Sequence, residues 1–410
     1  MTTDSADQLL QARGVNPIHD WHPPLMAALW RLTDKLIAGP FPMLVIQSSL
    51  FLLGLYRILQ RIVAPRTAAI VAAATLLFPP VMAVMVVIWK DSQMAGFLLA
   101  GTACLLSTRR AWKLVGLGLL CLATAQRYNA FAATLPLVLC LFVWGPDVRR
   151  WKRYVLATAT WLVITVLAFA SNRALTKLEL HAWHCSVALM DIAGMVKYAP
   201  KMSDDEVRQR LSGIPGLPSE HLQSCMRRSY SPRAWFWLAN GSGRVFDMPQ
   251  TDAHLEAISE SWWEMITTYP RAYVGHRFQV VKNLLALTPE PPEVGWSNFV
   301  ELPPQEWMLN HSATHSTVQH AWTHVVESHR DNLVFRPWLY LLLGLFLLPL
   351  CARQRIAFAV LASGLACELS VFVAAPSADY RYSHWMIVCT TIAYAILFAT
   401  RWQRGRTWVA

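Results

Sequence analysis

The sequence predicts an all-α polytopic membrane protein with about nine transmembrane helices and an external helical domain in the loop before the last three. Three observations predict it. Apolar residues fill 55% of the 410 positions, charged residues only 15%, and the apolar ones gather in blocks of about twenty, the length that crosses a bilayer. Basic residues divide unequally between alternate loops. One long polar stretch, 172–333, separates six apolar blocks from three more.

Taken in order, residues 1–40 read as an external acid-bearing segment with amphipathic juxtamembrane helices. Asp7 to Ala12 suits a short helix, and Leu25 to Ile37 repeats apolar residues at helical spacing (Leu25, Met26, Leu29, Leu32, Leu36). Pro23 and Pro24 separate the two. A six-span core, 41–171, follows, with spans near 41–60, 67–89, 92–108, 112–126, 130–146 and 154–171; Pro79-Pro80 should kink the second. The stretch 172–333 reads as an extracytoplasmic helical domain. Ser203 with Glu206 forms a capping box, and Pro270 should divide a helical pattern running from Leu255 to Leu287. The part 334–410 holds spans near 334–352, 356–375 and 384–400 and ends in a cytoplasmic tail.

Orientation follows from the basic residues. With residue 1 outside, the inner loops carry fifteen of them: Arg57, Arg61 and Arg66; Arg109, Arg110 and Lys113; Arg149, Arg150, Lys152 and Arg153; Arg353 and Arg355; Arg401, Arg404 and Arg406. The short outer segments carry three, Lys90, Arg127 and Arg381. The net charge of +11 is therefore mainly a topology signal, which argues against nucleic-acid binding. Nineteen Trp residues suit interfacial anchoring. Six of eight Cys lie in apolar runs; Cys185 and Cys225 share the polar stretch and are a disulfide candidate if it faces an oxidising compartment.

The polar residues on the outer side are the candidates for chemistry. Asp4 and Asp7 are suited to a general base or to holding a hydroxyl or metal, against the plainer reading of a solvated tail. Asp91 opens a span, where it could cap the helix or act in catalysis; a helix N-terminus also attracts anions. Lys90 adjoins it. His22, in His-Pro-Pro, could bond a phosphate or a substrate hydroxyl. Arg127 and Arg381 lie at outward helix ends, and an arginine fork matches phosphate. Tyr380 and Tyr382 flank Arg381 and could stack on a sugar, or serve as an interfacial belt. Glu368 falls mid-span, where a carboxylate is costly and faces a cavity or partner. His311, His315, His320 and His324 form two i,i+4 pairs on different faces, and no metal site is assigned to them.

These features resemble the GT-C superfamily, multi-span glycosyltransferases that use lipid-phosphate sugars. The residues that carry the resemblance are the N-terminal acids, His22-Pro23-Pro24-Leu25, Lys90-Asp91, Arg127-Tyr128-Asn129 and Asp379-Tyr380-Arg381-Tyr382. The bacterial branch with dolichyl-phosphate-mannose-protein mannosyltransferase-like enzymes and the lipid A aminoarabinose transferase is the most similar. The resemblance covers roughly 1–171 and 334–400 and does not reach the long loop. It implies an enzyme of the bacterial cytoplasmic membrane with its site facing out. A polyprenyl-phosphate sugar would be the donor, a glycan, lipid or protein hydroxyl the acceptor, and inversion the outcome. Asp4 or Asp7 would be the base, Asp91 a second acid, and Arg381 with Arg127 or Lys90 the phosphate holder. A divalent metal stays open as cofactor. Ser5 and Gln8 stand where the family has Glu and an aromatic. The family's span ahead of the acid loop has no counterpart, which implies a late start or an upstream span. Two rival classes use the same residues: a transporter or flippase of a lipid-linked or polar solute, with Glu368 as its proton site, and a structural subunit of the cell envelope.

Overall fold

The computed structural model describes residues 2–144, 149–200, 202–240, 243–292, 294 and 317–406. Among them the chain is helical with no strands. It divides into two compact units. The first comprises Met1–Glu179, Val294–Ser370 and Arg381–Ala410, the second Leu180–Glu293 and Val371–Tyr380.

The first unit opens with α1 (Thr3–Arg13), α2 (Leu25–Asp34), α3 (Phe41–Leu59), α4 (Pro65–Leu77), α5 (Pro79–Met85), α6 (Lys90–Leu105), α7 (Arg110–Gln126), α8 (Ala130–Leu141) and α9 (Arg150–Leu175). The second unit holds α10 (Leu189–Tyr198), α11 (Asp204–Arg210), α12 (Leu222–Ser229), α13 (Asp252–Thr268) and α14 (Pro270–Leu284). The chain then returns through α15 (Thr317–His329), α16 (Pro337–Cys351), α17 (Arg355–Ala374) and α18 (His384–Arg406).

Each expected span overlaps one of these helices, the second being divided between α4 and α5 and the fifth running past α8 to positions 145 and 146, outside the described residues; among the described residues fewer than nine helices reach membrane-crossing length and apolarity. Four do: α3, Trp151–Leu175 of α9, α17 and Tyr380–Arg401; a fifth counts if α4 and α5 form one broken span. The 12 residues of α8 reach only about 18 Å, well under a hydrocarbon core of about 30 Å. The kink expected at Pro79-Pro80 is a 72° bend. Pro79 forces Phe78 into extended backbone, which ends α4, and the prolines then sit at the start of α5, where a missing N–H costs nothing.

Close helix packing sets the centre of this unit. A Cβ on Gly54 of α3 would fall 2.5 Å from Ala100 N of α6, and one on Gly116 of α7 would fall 2.9 Å from Gly101 O. Only glycine lets α6 approach both neighbours this closely. Side chains of α9 such as Val163 and Val166 remain exposed, compatible with lipid contact.

The N-terminal segment is not a tail. Thr2 caps α1 through a reciprocal bond with Ser5, and Gly14 closes it in left-handed backbone. Leu9 and Ala12 bury against Met26, Trp30, Met43 and Ile88. Arg13 grips Asp34 with Nε and Nη2 at 2.9 and 3.0 Å, tying α1 to the end of α2. The apolar face of α1 is thus covered by α2 together with Met43 and Ile88. Past α2, Leu36, Ile37 and Phe41 stay exposed.

In the second unit Asp191 is fully buried on α10. Its carboxylate accepts from Trp262 Nε1 (2.8 Å) and Arg277 Nη2 (2.7 Å) and meets His276 Nε2 (2.7 Å). Tyr230 donates to His276 Nδ1 at 2.7 Å. A buried carboxylate is stable only when its lone pairs are met in this way. Ser203 caps α11 by accepting from Glu206 N at 3.1 Å, and α13 gives way to α14 at Pro270, as the sequence leads one to expect. The boundaries differ from 172–333. Ala378 N donates to Arg233 O, and Arg277 Nη1 to Ala375 O, both at 2.9 Å, so Val371–Tyr380 belongs to this unit. The candidate pair Cys185 and Cys225 is not bridged in this structure; Cys185 sits in a π-helical turn with its thiol on Leu180 O, while Cys225 lies on α12.

A Cβ on Gly194 would stand 2.1 Å from His276 Nδ1. Gly194→Ala should push the imidazole off Tyr230 and lower stability by about 1–3 kcal/mol, read as a drop in the unfolding midpoint of purified protein.

Candidate functional site

The first turn of α1 and the start of α6 face each other because two bonds lock them together. Ser5 Oγ donates to Ile88 O at 2.7 Å, and Trp89 Nε1 donates to Thr2 Oγ1 at 2.8 Å. Helical spacing puts Asp4, Ser5 and Gln8 on one face of α1. That face lines a narrow cleft with His22, Trp89, Lys90 and Arg381. The cleft holds only about 10 Å³, roughly one water.

Its polar groups form a directed chain. Lys90 Nζ donates to His22 Nδ1 at 2.7 Å. An ammonium has no acceptor to offer, so His22 Nδ1 carries the lone pair and the ring proton sits on Nε2. Nε2 faces Asp4 Oδ1 at 3.6 Å. Arg381 Nη1 donates to Asp4 Oδ2 at 2.6 Å, and the guanidinium carbon lies 4.9 Å from the Trp89 ring centre.

Burial opposes ionisation of Asp4, but Arg381, His22 and Lys90 outweigh it and hold the carboxyl well below the usual carboxylate range. Burial first, then the Lys90 charge, pushes His22 below its ordinary value, which keeps it neutral. Burial first, then the Arg381 charge, lowers Lys90 to about 8. Among the described residues no carboxylate forms an ion pair with Lys90.

A second pair lies beside this cleft. Arg127, at the end of α7, is bonded to Asp91 in the first turn of α6. The Tyr382 ring centre lies 4.7 Å from the Arg127 guanidinium carbon and 5.7 Å from that of Arg381. Asp91 is 1% exposed and does not line the cleft, and Trp89 rather than Asp91 is the N-cap of α6. Glu368 is equally buried and accepts from Ser383 Oγ at 2.8 Å; His384, next to Ser383 in the chain, is fully buried.

The structure thus brings Asp4, His22, Lys90 and Arg381 together. It keeps Asp7 apart, one turn along α1. Asp7 accepts from Gln11 Nε2 (2.7 Å) and Asn16 Nδ2 (3.4 Å) and lies 3.2 Å from His19 Nε2. Burial opposes its ionisation, and the bonds from His19 and Asn16 together with the charges of His19 and His22 outweigh it, leaving its pKa lowered. Tyr380 is buried as the last residue of the second unit. His320 and His324 lie on α15, and His311 and His315 fall outside the described residues. Sequence reasoning missed Ser5, Gln8 and the Trp89 ring as parts of the wall; the i, i+4 spacing of Asp4 and Gln8 was the available signal. The one cleft carboxylate stands among two cations, a poor donor set for a divalent metal, and no group of three or more His, Cys, Asp or Glu among the described residues is placed to hold one.

Comparison with protein-family models, curated proteins and solved structures finds no match to this chain.

Asp91 and Arg127 make a sealed pair whose loss should be asymmetric. Arg127→Gln strands a buried charge and should cost about 3–5 kcal/mol of stability, whereas Asp91→Asn with Arg127→Gln should recover most of it in thermal unfolding.

Proposed function

We propose that this chain is a membrane glycosyltransferase that moves a sugar from a polyprenyl-phosphate donor to an acceptor hydroxyl. The observation that carries the reading is Lys90. It lines the same cleft as Arg381, yet its hydrogen-bond partner is the neutral His22. A cation held this way has charge to offer an incoming anion, and two cations beside one carboxylate suit a phosphate leaving group next to a proton acceptor. The resemblance to GT-C enzymes supplies the lipid-phosphate sugar and the outward-facing site. The basic residues of alternate loops support that sidedness.

Donor phosphate entering between Lys90 and Arg381 would draw Arg381 from Asp4. Losing that cation raises the proton affinity of Asp4 as the acceptor hydroxyl arrives. The acceptor oxygen forms its bond to the anomeric carbon while the carbon–phosphate oxygen bond breaks opposite it. The electron pair leaves with the phosphate, and the hydroxyl proton passes to Asp4. Attack from the opposite face inverts the centre. Trp89 and Tyr382 keep the guanidinium groups in place. Arg127 serves by position, since Asp91 occupies it. The cleft residues do not fit a divalent ion, and no step uses one.

The 72° break between α4 and α5 favours one rival, a transporter or flippase, because broken helices build substrate sites in such proteins. Chemical turnover separates the two.

Asp4→Asn should lower sugar transfer by about 10²–10⁴-fold with donor binding retained, and Asp7→Asn should leave it near wild type, in an assay of purified protein with polyprenyl-phosphate sugars. Equal activity in both variants would sink the assignment. The Lys90 ammonium is charged below about 8 and lost above it. Donor affinity should therefore fall as pH rises through about 8, and Lys90→Arg should move that fall to higher pH, in equilibrium binding at fixed ionic strength.

A further inference from the structure

The first unit has a second, larger cavity at the other end of α3 and α6. Asp4 and Lys90 lie near the start of α6, whereas this cavity lies at its far end, about 20 Å along the axis. It encloses about 540 Å³. Its floor is Ala103 and Cys104 of α6 with Ser107 beyond; its walls are Arg57 and Arg61 on one side and Trp112 of α7 on the other.

Among the described residues no carboxylate lines this cavity. No Asp or Glu occurs between Asp34 and Asp91, nor between Asp91 and Asp147. Those stretches supply Arg57, Arg61, Arg66, Arg109, Arg110 and Lys113. Arg57 donates to the neutral Gln60 Oε1 at 3.3 Å, and among the described residues neither Arg57 nor Arg61 pairs with a carboxylate. The walls beside the arginines are apolar and open. Leu53, one turn before Arg57, is 61% exposed, and Trp112 and Val115 on α7 are 50% and 47% exposed.

We propose that this cavity binds the headgroup of an anionic glycerophospholipid. Arg57 and Arg61 hold its phosphate, and its acyl chains lie along the exposed apolar sides of α3 and α7. A free phosphate would use the arginines alone and would leave Leu53, Trp112 and Val115 without a role; a lipid uses both. The guanidinium fork matches a phosphodiester, and basic pockets between membrane helices favour anionic headgroups. This inference does not depend on the glycosyltransferase reading.

Native mass spectrometry of the full chain in detergent tests it. The protein is offered phosphatidylglycerol and phosphatidylcholine with the same acyl chains. Wild type should retain phosphatidylglycerol in preference. The exposed double variant Arg57→Gln/Arg61→Gln should lose that preference by roughly ten- to thirty-fold, while Lys152→Gln, an exposed cation at another helix start, should keep it. Inorganic phosphate should not displace the lipid. Equal retention of both lipids, an unaltered preference in the double variant, or an equal loss in Lys152→Gln overturns the proposal. Displacement by inorganic phosphate overturns the lipid as ligand and leaves a free-anion site.

Discussion

The bond between Asp4 and Arg381 joins the two ends of the chain. The residues are 377 positions apart, on α1 and just ahead of α18, and their atoms meet at 2.6 Å. Neither partner alone would be stable where it lies. A lone carboxylate beside apolar Ile88 and Met26 would pay for lost hydration, and a lone guanidinium over Trp89 would keep only the ring's attraction. Together they define the cleft, and α1 can present Asp4 only because Thr2 and Ser5 are bonded to the segment before α6.

Two ion pairs lie close together in this region and differ in one respect. The Asp91 side chain is 1% exposed, so in its pair with Arg127 the carboxylate is buried. The Asp4 side chain keeps 34% of its surface exposed, so the pair with Arg381 can open toward solvent or ligand. A sealed pair suits a scaffold and an open one suits exchange. Lys90 then tips the balance of the cleft toward cation, because the His22 it bonds is neutral. The second cavity repeats the theme with Arg57 over Gln60 at the far end of the same helices.

Much of this was legible in the sequence. Hydropathy blocks located the apolar helices of the first unit but not α15, which the sequence placed in the external domain, and Pro79-Pro80 marked the bend, because proline acts locally on its own turn. Asp4, His22, Lys90 and Arg381 were singled out by type and by common sidedness. Their contacts were not legible, since they depend on the packing of α1 under α2. Asp4 and Asp7 could not be separated on paper; three positions along a helix placed one in the cleft and the other on His19. Nine spans were expected and four or five helices among the described residues are long and apolar enough to cross, because short helices such as α8 are as apolar as a span but fall short of the bilayer. The second unit's claim on Val371–Tyr380 rests on long-range bonds to Arg233 and Arg277 that no local pattern announces.

The central claim is that the Asp4–Arg381 cleft opens to take a phosphate borne by a lipid. The most direct measurement is equilibrium binding of polyprenyl phosphate and of the matching polyprenol to purified protein, wild type beside Arg381→Ala. The account predicts that wild type binds the phosphate and discriminates against the alcohol, and that Arg381→Ala loses the discrimination while still taking up both lipids weakly. Equal binding of phosphate and alcohol by wild type, or discrimination that survives in Arg381→Ala, would contradict it.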